Sequence, residues 1–107
     1  MENKVVKISD IKVTSQLRNV ANPILPCIFL ILDDKHAPVN VGLSMECIIS
    51  FFNSIKNFSM DKLVLEFLND NENNLCIRHH GEVISTQNIS ITSDDLEKLW
   101  NITITRD

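Results

Sequence analysis

The sequence predicts an α+β fold, a mostly antiparallel sheet with one main amphipathic helix packed on one face and a short second helix. Three observations lead to this prediction. The longest apolar run, residues 24–32, is flanked by polar turn residues. Residues 43–57 carry apolar side chains at helical spacing, whereas several shorter stretches alternate with a period of two. Runs of strands with few helices between them are typical of α+β folds and not of βαβ repeats.

Length and charge limit the classes of protein to consider. We expect the 107 residues to form a single domain, 1–107. The net charge is −4, and the ten Lys and Arg residues are dispersed along the chain. Phosphate backbones and anionic membranes attract clustered cations, so we expect neither nucleic acid nor a membrane as a partner.

The N-terminal third is predicted to be β-structure. Residues 4–14 alternate, but the apolar phase slips by one across Ser9 and Asp10, which predicts a bulge or a tight turn there. Residues 15–22 are polar and read as a connection, with a short helical turn at 17–20. Residues 24–32 are predicted to be a central strand buried on both faces. Pro26 lacks an N–H group, so we expect pairing to begin near Cys27. Residues 33–40 have the composition of a loop.

Residues 43–57 form the clearest predicted helix. Its start is marked by Ser44, whose hydroxyl can cap the first turn. The apolar face that we predict consists of Met45, Ile48, Ile49, Phe52 and Ile55, widened by Cys47, Phe51 and Phe58. A helix this apolar must pack on something, and the strand at 27–32 is the obvious surface. We therefore expect Phe52 and Phe29 to share one core.

The C-terminal part alternates between strand and helix patterns. Strands are predicted at 62–68 and 75–79, joined by a hairpin loop at 70–74, with Gly81 allowing the next turn. Short strands are predicted at 83–84 and 89–91. Residues 93–100 predict a short helix that Ser93 caps, with acidic residues in its first turn. Ile102 and Ile104 alternate and predict a last strand.

The cysteines and the N-terminus bear on the cellular compartment. Residues 1–10 lack the apolar segment of a secretory signal, so we expect a cytoplasmic protein. The cysteines Cys27, Cys47 and Cys76 are odd in number and lie among apolar residues. We therefore predict that they are reduced, buried and structural, and that the three Asn-X-Ser/Thr sequons are unmodified.

A metal-dependent enzyme is one alternative. His79 or His80 could join Asp33 or Asp34, and with them His36, around a divalent metal if their loops meet. Adjacent strand residues point to opposite faces, however, so His79 and His80 are not expected to bind one ion together. The sequence contains no HExxH, CxxC, GxSxG or Gly-rich phosphate loop. We therefore expect no catalysis and no cofactor.

Acidic residues concentrate in predicted loops and at helix starts. The clusters are Asp33 with Asp34, Asp70 with Glu72, and Asp94 and Asp95 with Glu97. Such clusters are commonly just solvated surface. They also suit contact with a basic protein, since charge complementarity speeds association and fixes orientation. Asp33, Asp34, Asp70 and Glu72 are our predicted partner contacts because polar loops hold them outside the core.

This short, acidic, Asn- and Ile-rich chain without a catalytic motif resembles bacterial immunity proteins, in particular those paired with contact-dependent growth inhibition toxins. The resemblance is of general type over the whole chain and transfers no functional residue. It implies a cytoplasmic protein that binds one cognate toxin domain and blocks its active site or substrate path. An acidic secretion chaperone or assembly subunit, dimeric in that case, is the alternative among binding proteins.

Overall fold

The computed structural model describes residues 2–19 and 24–102, without the side chains of residues 16–19, 24 and 25. Its strands are β1 (Lys4–Lys7), β2 (Lys12–Asn19), β3 (Ile24–Ile31), β4 (Val39–Gly42), β5 (Leu63–Phe67), β6 (Asn74–His79) and β7 (Glu82–Asn88). Its helices are α1 (Met45–Asn57) and α2 (Ser93–Asn101), with short 3-10 turns at Ile8–Asp10 and Met60–Lys62. The predicted α+β class is confirmed.

The strands form two antiparallel sheets where the sequence had predicted one. Four strands pair in the order β1-β5-β6-β7, and three pair in the order β2-β3-β4. The sheets meet at one residue pair, where Gly42 N–H donates to Ser90 O at 2.7 Å and Ser90 N–H donates to Gly42 O at 2.9 Å. We call the line between β7 and β4 the seam. Strand pairing across it is limited to this point in the part of the chain that the structure describes.

Both sheets contribute to one hydrophobic core. In the four-stranded sheet, Val6, Leu65 and Ile77 lie opposite one another across β1, β5 and β6, and all three are buried. In the three-stranded sheet, Ile28 and Leu30 face the core. Because side chains alternate between faces, each sheet presents one apolar face to this shared core.

Strand β3 is central in its sheet, as predicted, but its details differ. Its pairing with β2 already begins at Ile24, and only the pairing with β4 begins at Cys27. Pro26 lies before the stretch of β3 that pairs with β4, so its missing N–H group leaves that ladder intact, and its carbonyl accepts a hydrogen bond from Leu43 N–H at 3.2 Å. On the face away from the core, Phe29 is only partly buried and lies outside the core cluster. The prediction that Phe29 belongs to the same core as Phe52 is therefore wrong.

Helix α1 begins where predicted, since the Ser44 hydroxyl accepts a hydrogen bond from Cys47 N–H at 3.2 Å. Its buried residues are Cys47, Phe51 and Ser54. Three side chains that we had placed on the apolar face are exposed instead, Met45 at 51%, Ile49 at 56% and Phe58 at 36%. The prediction was wrong for these three because α1 contacts both sheets and not only β3.

The contacts at the two ends of α1 show how it spans the sheets. Cys47 Sγ is hydrogen-bonded to Gln87 Oε1 on β7. The Phe58 ring, just after the helix, lies 4.7 Å from the His79 ring on β6. Helix α1 also packs against β3. Helix α1 therefore packs on both sheets near the seam, and this position determines which of its side chains are buried.

The N-terminal prediction is confirmed at one point and wrong at the next. The phase slip at Ser9 and Asp10 corresponds to the 3-10 turn between β1 and β2. Residues 15–19 continue β2 and form no polar connection or helical turn, because each of them pairs with a residue of β3. A neighbouring strand satisfies the backbone whether or not the side chains are apolar. Residues 20–22 of the predicted connection lie outside the described residues.

The C-terminal elements follow the prediction with shifts. Strand β7 is one seven-residue strand, and residues 89–91 contribute only the bridge at Ser90. His80 and Gly81 have φ angles of 53° and 79°, which fits a two-residue hairpin turn between β6 and β7. The cap of α2 is Thr92, not Ser93, since its hydroxyl accepts from Asp95 N–H at 3.2 Å. The predicted last strand cannot be compared, because Ile104 lies outside the described residues.

Candidate functional site

The structure places the four predicted contact residues in two separate loops. Asp33 and Asp34 lie in the β3–β4 loop and, with Asp10, line a shallow pocket beside the turn that follows β1. Asp70 and Glu72 lie in the β5–β6 loop, where Asn69 N–H donates to Asn3 Oδ1 just before β1. The two acidic loops therefore lie at opposite ends of β1, which spans about 13 Å.

In the β3–β4 loop, Asp33 is fixed by its neighbours. The His36 ring nitrogen Nδ1 lies 2.8 Å from Asp33 Oδ2, and the backbone N–H groups of Lys35 and His36 each donate to Asp33 Oδ1 at 2.9 Å. The hydrogen bond with His36 is the main reason why the pKa of Asp33 is lowered. Asp34 is exposed and makes no side-chain hydrogen bond to a described residue, so its carboxylate is available to a partner.

In the β5–β6 loop, Asp70 organises the turn. Partial desolvation raises its pKa, but hydrogen bonds from the Asn74 side chain and from the backbone outweigh this effect, and the pKa is lowered overall. Asn74 Nδ2 donates to Asp70 Oδ2 at 3.1 Å and to Glu72 Oε2 at 3.4 Å. Asn88 on β7 donates to the Glu72 carbonyl. Both carboxylates are thus held on a loop of defined shape.

A groove of about 530 Å³ lies beside this second loop, between the loop and α2. Its apolar lining is formed by Leu68, Leu96 and Trp100, and its charged lining by the carboxylates of Asp70 and Glu97. The sequence analysis named Glu97 in an acidic cluster but not as a contact, and it missed Trp100. The signal available was the spacing of Leu96 and Trp100, which places them on one face of α2.

The histidines do not form the alternative metal site. His80 leaves the strand in a left-handed conformation, and its ring lies 4.5 Å from that of His79. The prediction that the two rings diverge is therefore wrong. His79 Nε2 is buried without a hydrogen-bond partner among the described residues. Within residues 2–19 and 24–102, no three His, Cys, Asp or Glu side chains are arranged to hold a metal ion.

The remaining features are structural. None of the three cysteines is in a disulfide bond, and all three are buried, as predicted. Neither described helix combines the length and the apolar character that a bilayer crossing requires.

Comparisons of the chain with protein family models, curated proteins and solved structures found no match.

Proposed function

We propose that this protein is a non-catalytic immunity protein that binds a basic bacterial toxin domain and blocks its active site or substrate path. The observation that carries the proposal is that the carboxylates of the acidic loops are accessible and mostly already ordered. These carboxylates lie outside the core, and hydrogen bonds from His36 and Asn74 hold three of them, those of Asp33, Asp70 and Glu72, in place before any partner arrives. The general resemblance of the chain to immunity proteins points in the same direction.

Held carboxylates suit this task for two physical reasons. Groups that are already ordered lose less conformational entropy when a complex forms. A net charge of −4 also attracts a basic partner and speeds its association, most strongly at low salt. A toxin that handles nucleic acid presents cations at its active site, and an acidic loop placed there excludes the substrate.

The two loops are candidates of unequal quality. The β3–β4 loop borders a shallow pocket that also includes Lys12, a cation that offsets part of its charge. The β5–β6 loop borders the groove with Trp100 and Glu97, where apolar area and charge occur together. Tight interfaces combine an apolar centre with charged groups around it. We therefore expect the β5–β6 loop to make the main contact.

The test is binding of charge-reversed variants to the toxin domain encoded by a neighbouring gene. Asp33→Lys/Asp34→Lys and Asp70→Lys/Glu72→Lys are compared at low and high salt, and thermal unfolding checks that each is folded. Glu72→Lys alone is included because Asp70 also shapes its loop. Glu82→Lys, on the exposed β7, is the control. We expect the β5–β6 variants to associate at least about tenfold more slowly at low salt, with little change in the control.

Two results would contradict the proposal in different ways. If both double variants bind like the unchanged protein at low salt, the acidic surface is not the interface. If no toxin partner exists whose activity the protein suppresses, the immunity function itself is wrong.

A further inference from the structure

We infer that the groove between the β5–β6 loop and α2 is an anchor site for an arginine side chain of the partner protein. The inference depends on the proposed function only for the identity of the partner protein that carries the arginine. It names residues beyond the four predicted contacts, namely Glu97 and Trp100. The groove joins an aromatic ring, two carboxylates and side-chain amides within one concave surface.

The described lining of the groove carries acidic side chains without basic ones. Among the residues that the structure describes, neither Lys nor Arg lines the groove. Lys98 of α2 and Lys4 of β1 make contacts with other groups. Lys98 Nζ lies 3.5 Å from Asp95 Oδ1, and Lys4 Nζ donates to Ile102 O at 2.8 Å. Glu97 makes no hydrogen bond or ion pair with a described residue, so its carboxylate is free to accept from a ligand.

Trp100 is held in a fixed orientation. Its indole N–H donates to Glu2 O at 3.2 Å, and Trp100 packs against the hydrophobic core. A fixed aromatic ring costs little further entropy when a ligand stacks on it. Because its N–H donor is already satisfied, the ring adds apolar area and π-face to the groove and does not need a hydrogen-bond acceptor from the ligand.

A guanidinium group fits this set of groups better than an ammonium group. It is planar, it stacks on aromatic rings, and its fork of N–H donors matches a carboxylate together with amide oxygens. Asn73 and Asn101 line the groove and carry amide oxygens that can accept from the guanidinium. The arginine methylenes would lie along Leu68 and Leu96. A phosphate or another anion is disfavoured by the two carboxylates.

The experiment uses the full chain labelled with ¹⁵N. Trp100 is the only tryptophan, so the protein has a single indole N–H resonance at the site. The probe is the blocked peptide acetyl-Gly-Arg-Gly-amide. Peptides with lysine or with citrulline, the neutral isostere, in place of arginine are the ligand controls. Glu97→Gln is the test variant, because it removes a charge without removing a described contact, and Glu82→Gln is its matched control.

We expect the arginine peptide to shift the indole resonance and the amides of residues 69–73 and 96–101 in a saturable way. The lysine peptide should bind at least about threefold more weakly, and citrulline should not bind. Glu97→Gln should weaken arginine binding by about threefold or more, and Glu82→Gln should not change it. Arginine and citrulline giving equal shifts, lysine binding as well as arginine, or shifts mapping outside the groove would each overturn the inference.

This result is separable from the test of the proposed function. If the arginine peptide binds in the groove but no toxin partner exists, the proposed function is wrong and the arginine site stands. If a toxin partner binds and the peptide does not, the arginine site is wrong and the immunity function stands. Sedimentation of the chain with and without peptide tests whether a second copy is the occupant of the groove. Such a dimer would also overturn the inference.

Discussion

At the scale of single residues, the outer face of the four-stranded sheet carries one well-formed ion pair. Arg78 Nε donates to Glu66 Oε1 at 2.9 Å, and Arg78 Nη1 donates to Gly81 O at 2.9 Å. The hydrogen bond from Arg78 is the main cause that lowers the pKa of Glu66 below its ordinary value of 4.5. Because the ion pair links neighbouring strands β5 and β6, its contribution to stability is a contribution of the four-stranded sheet.

The ion pair predicts a defined dependence of stability on pH. Because the folded-state pKa of Glu66 is lowered, its stabilisation is fully present above pH 4.5 and is lost as the pH falls through the folded-state value. Glu66→Gln should therefore reduce the free energy of unfolding at pH 7 by about 1 kcal/mol or less. It should also flatten the loss of stability below pH 4.5. Urea unfolding between pH 3 and 7 measures both effects, with Glu82→Gln as control. An unchanged acid slope in Glu66→Gln would contradict this assignment.

At the scale of elements, α1 is a helix that contacts both sheets near the seam. Phe51 is 1% exposed and belongs to the core, whereas Ile49 on the same helix is 56% exposed. The rotation of the buried face away from Met45 and Ile49 follows from the contacts of Cys47 with Gln87 and of Phe58 with His79. The helical spacing of the apolar residues establishes that α1 has an apolar face. Packing against the two sheets decides which part of that face is buried.

This arrangement predicts unequal costs for two truncations within α1. Phe51→Ala should lower the free energy of unfolding by about 3–5 kcal/mol, since it removes a buried ring and leaves a cavity. Ile49→Ala should change it by about 0.5 kcal/mol or less, since the side chain is largely exposed. Denaturant unfolding of both variants is the measurement. Equal losses in the two variants would show that α1 is docked by a different face.

At the scale of the whole molecule, the two sheets form one body through a shared core, the packing of the helices and the backbone contact between Gly42 and Ser90. The contact between Gly42 and Ser90 requires close approach. A Cβ atom on Gly42 would lie 3.2 Å from Ser90 Cβ and 3.2 Å from the Ser90 carbonyl oxygen. The glycine is needed here for space, since its backbone is not in the left-handed region.

We expect Gly42→Ala to destabilise the protein by about 1–3 kcal/mol through overpacking. Part of this loss is offset by the lower entropy of the unfolded chain. Ser90→Gly removes one of the two clashing atoms, so the double variant Gly42→Ala/Ser90→Gly should recover part of the loss. Thermal unfolding of the two single variants and the double variant gives the coupling energy. Additive effects would mean that the two residues do not constrain each other.

The sequence by itself determined the features that depend on neighbours along the chain. These are the α+β class, the strand at Ile24–Ile31, the helix start at Ser44, the turn at Ser9 and Asp10, and the β5–β6 loop. Each follows from a local pattern, such as an apolar run, a capping hydroxyl or a phase slip. The acidic loops were also visible, because charged residues at turns stay outside the core.

Only the tertiary structure decided which strands pair, which line of α1 is buried and which distant residues share a surface. Residues 15–19 became a strand because β3 lies beside them, and the division into two sheets follows from pairing between segments far apart in the chain. The groove joins Asp70 to Glu97 and Trp100, residues of two elements that no sequence pattern connects. The physical reason is that non-local contacts are selected by the packing of the whole core, which a local sequence pattern does not encode.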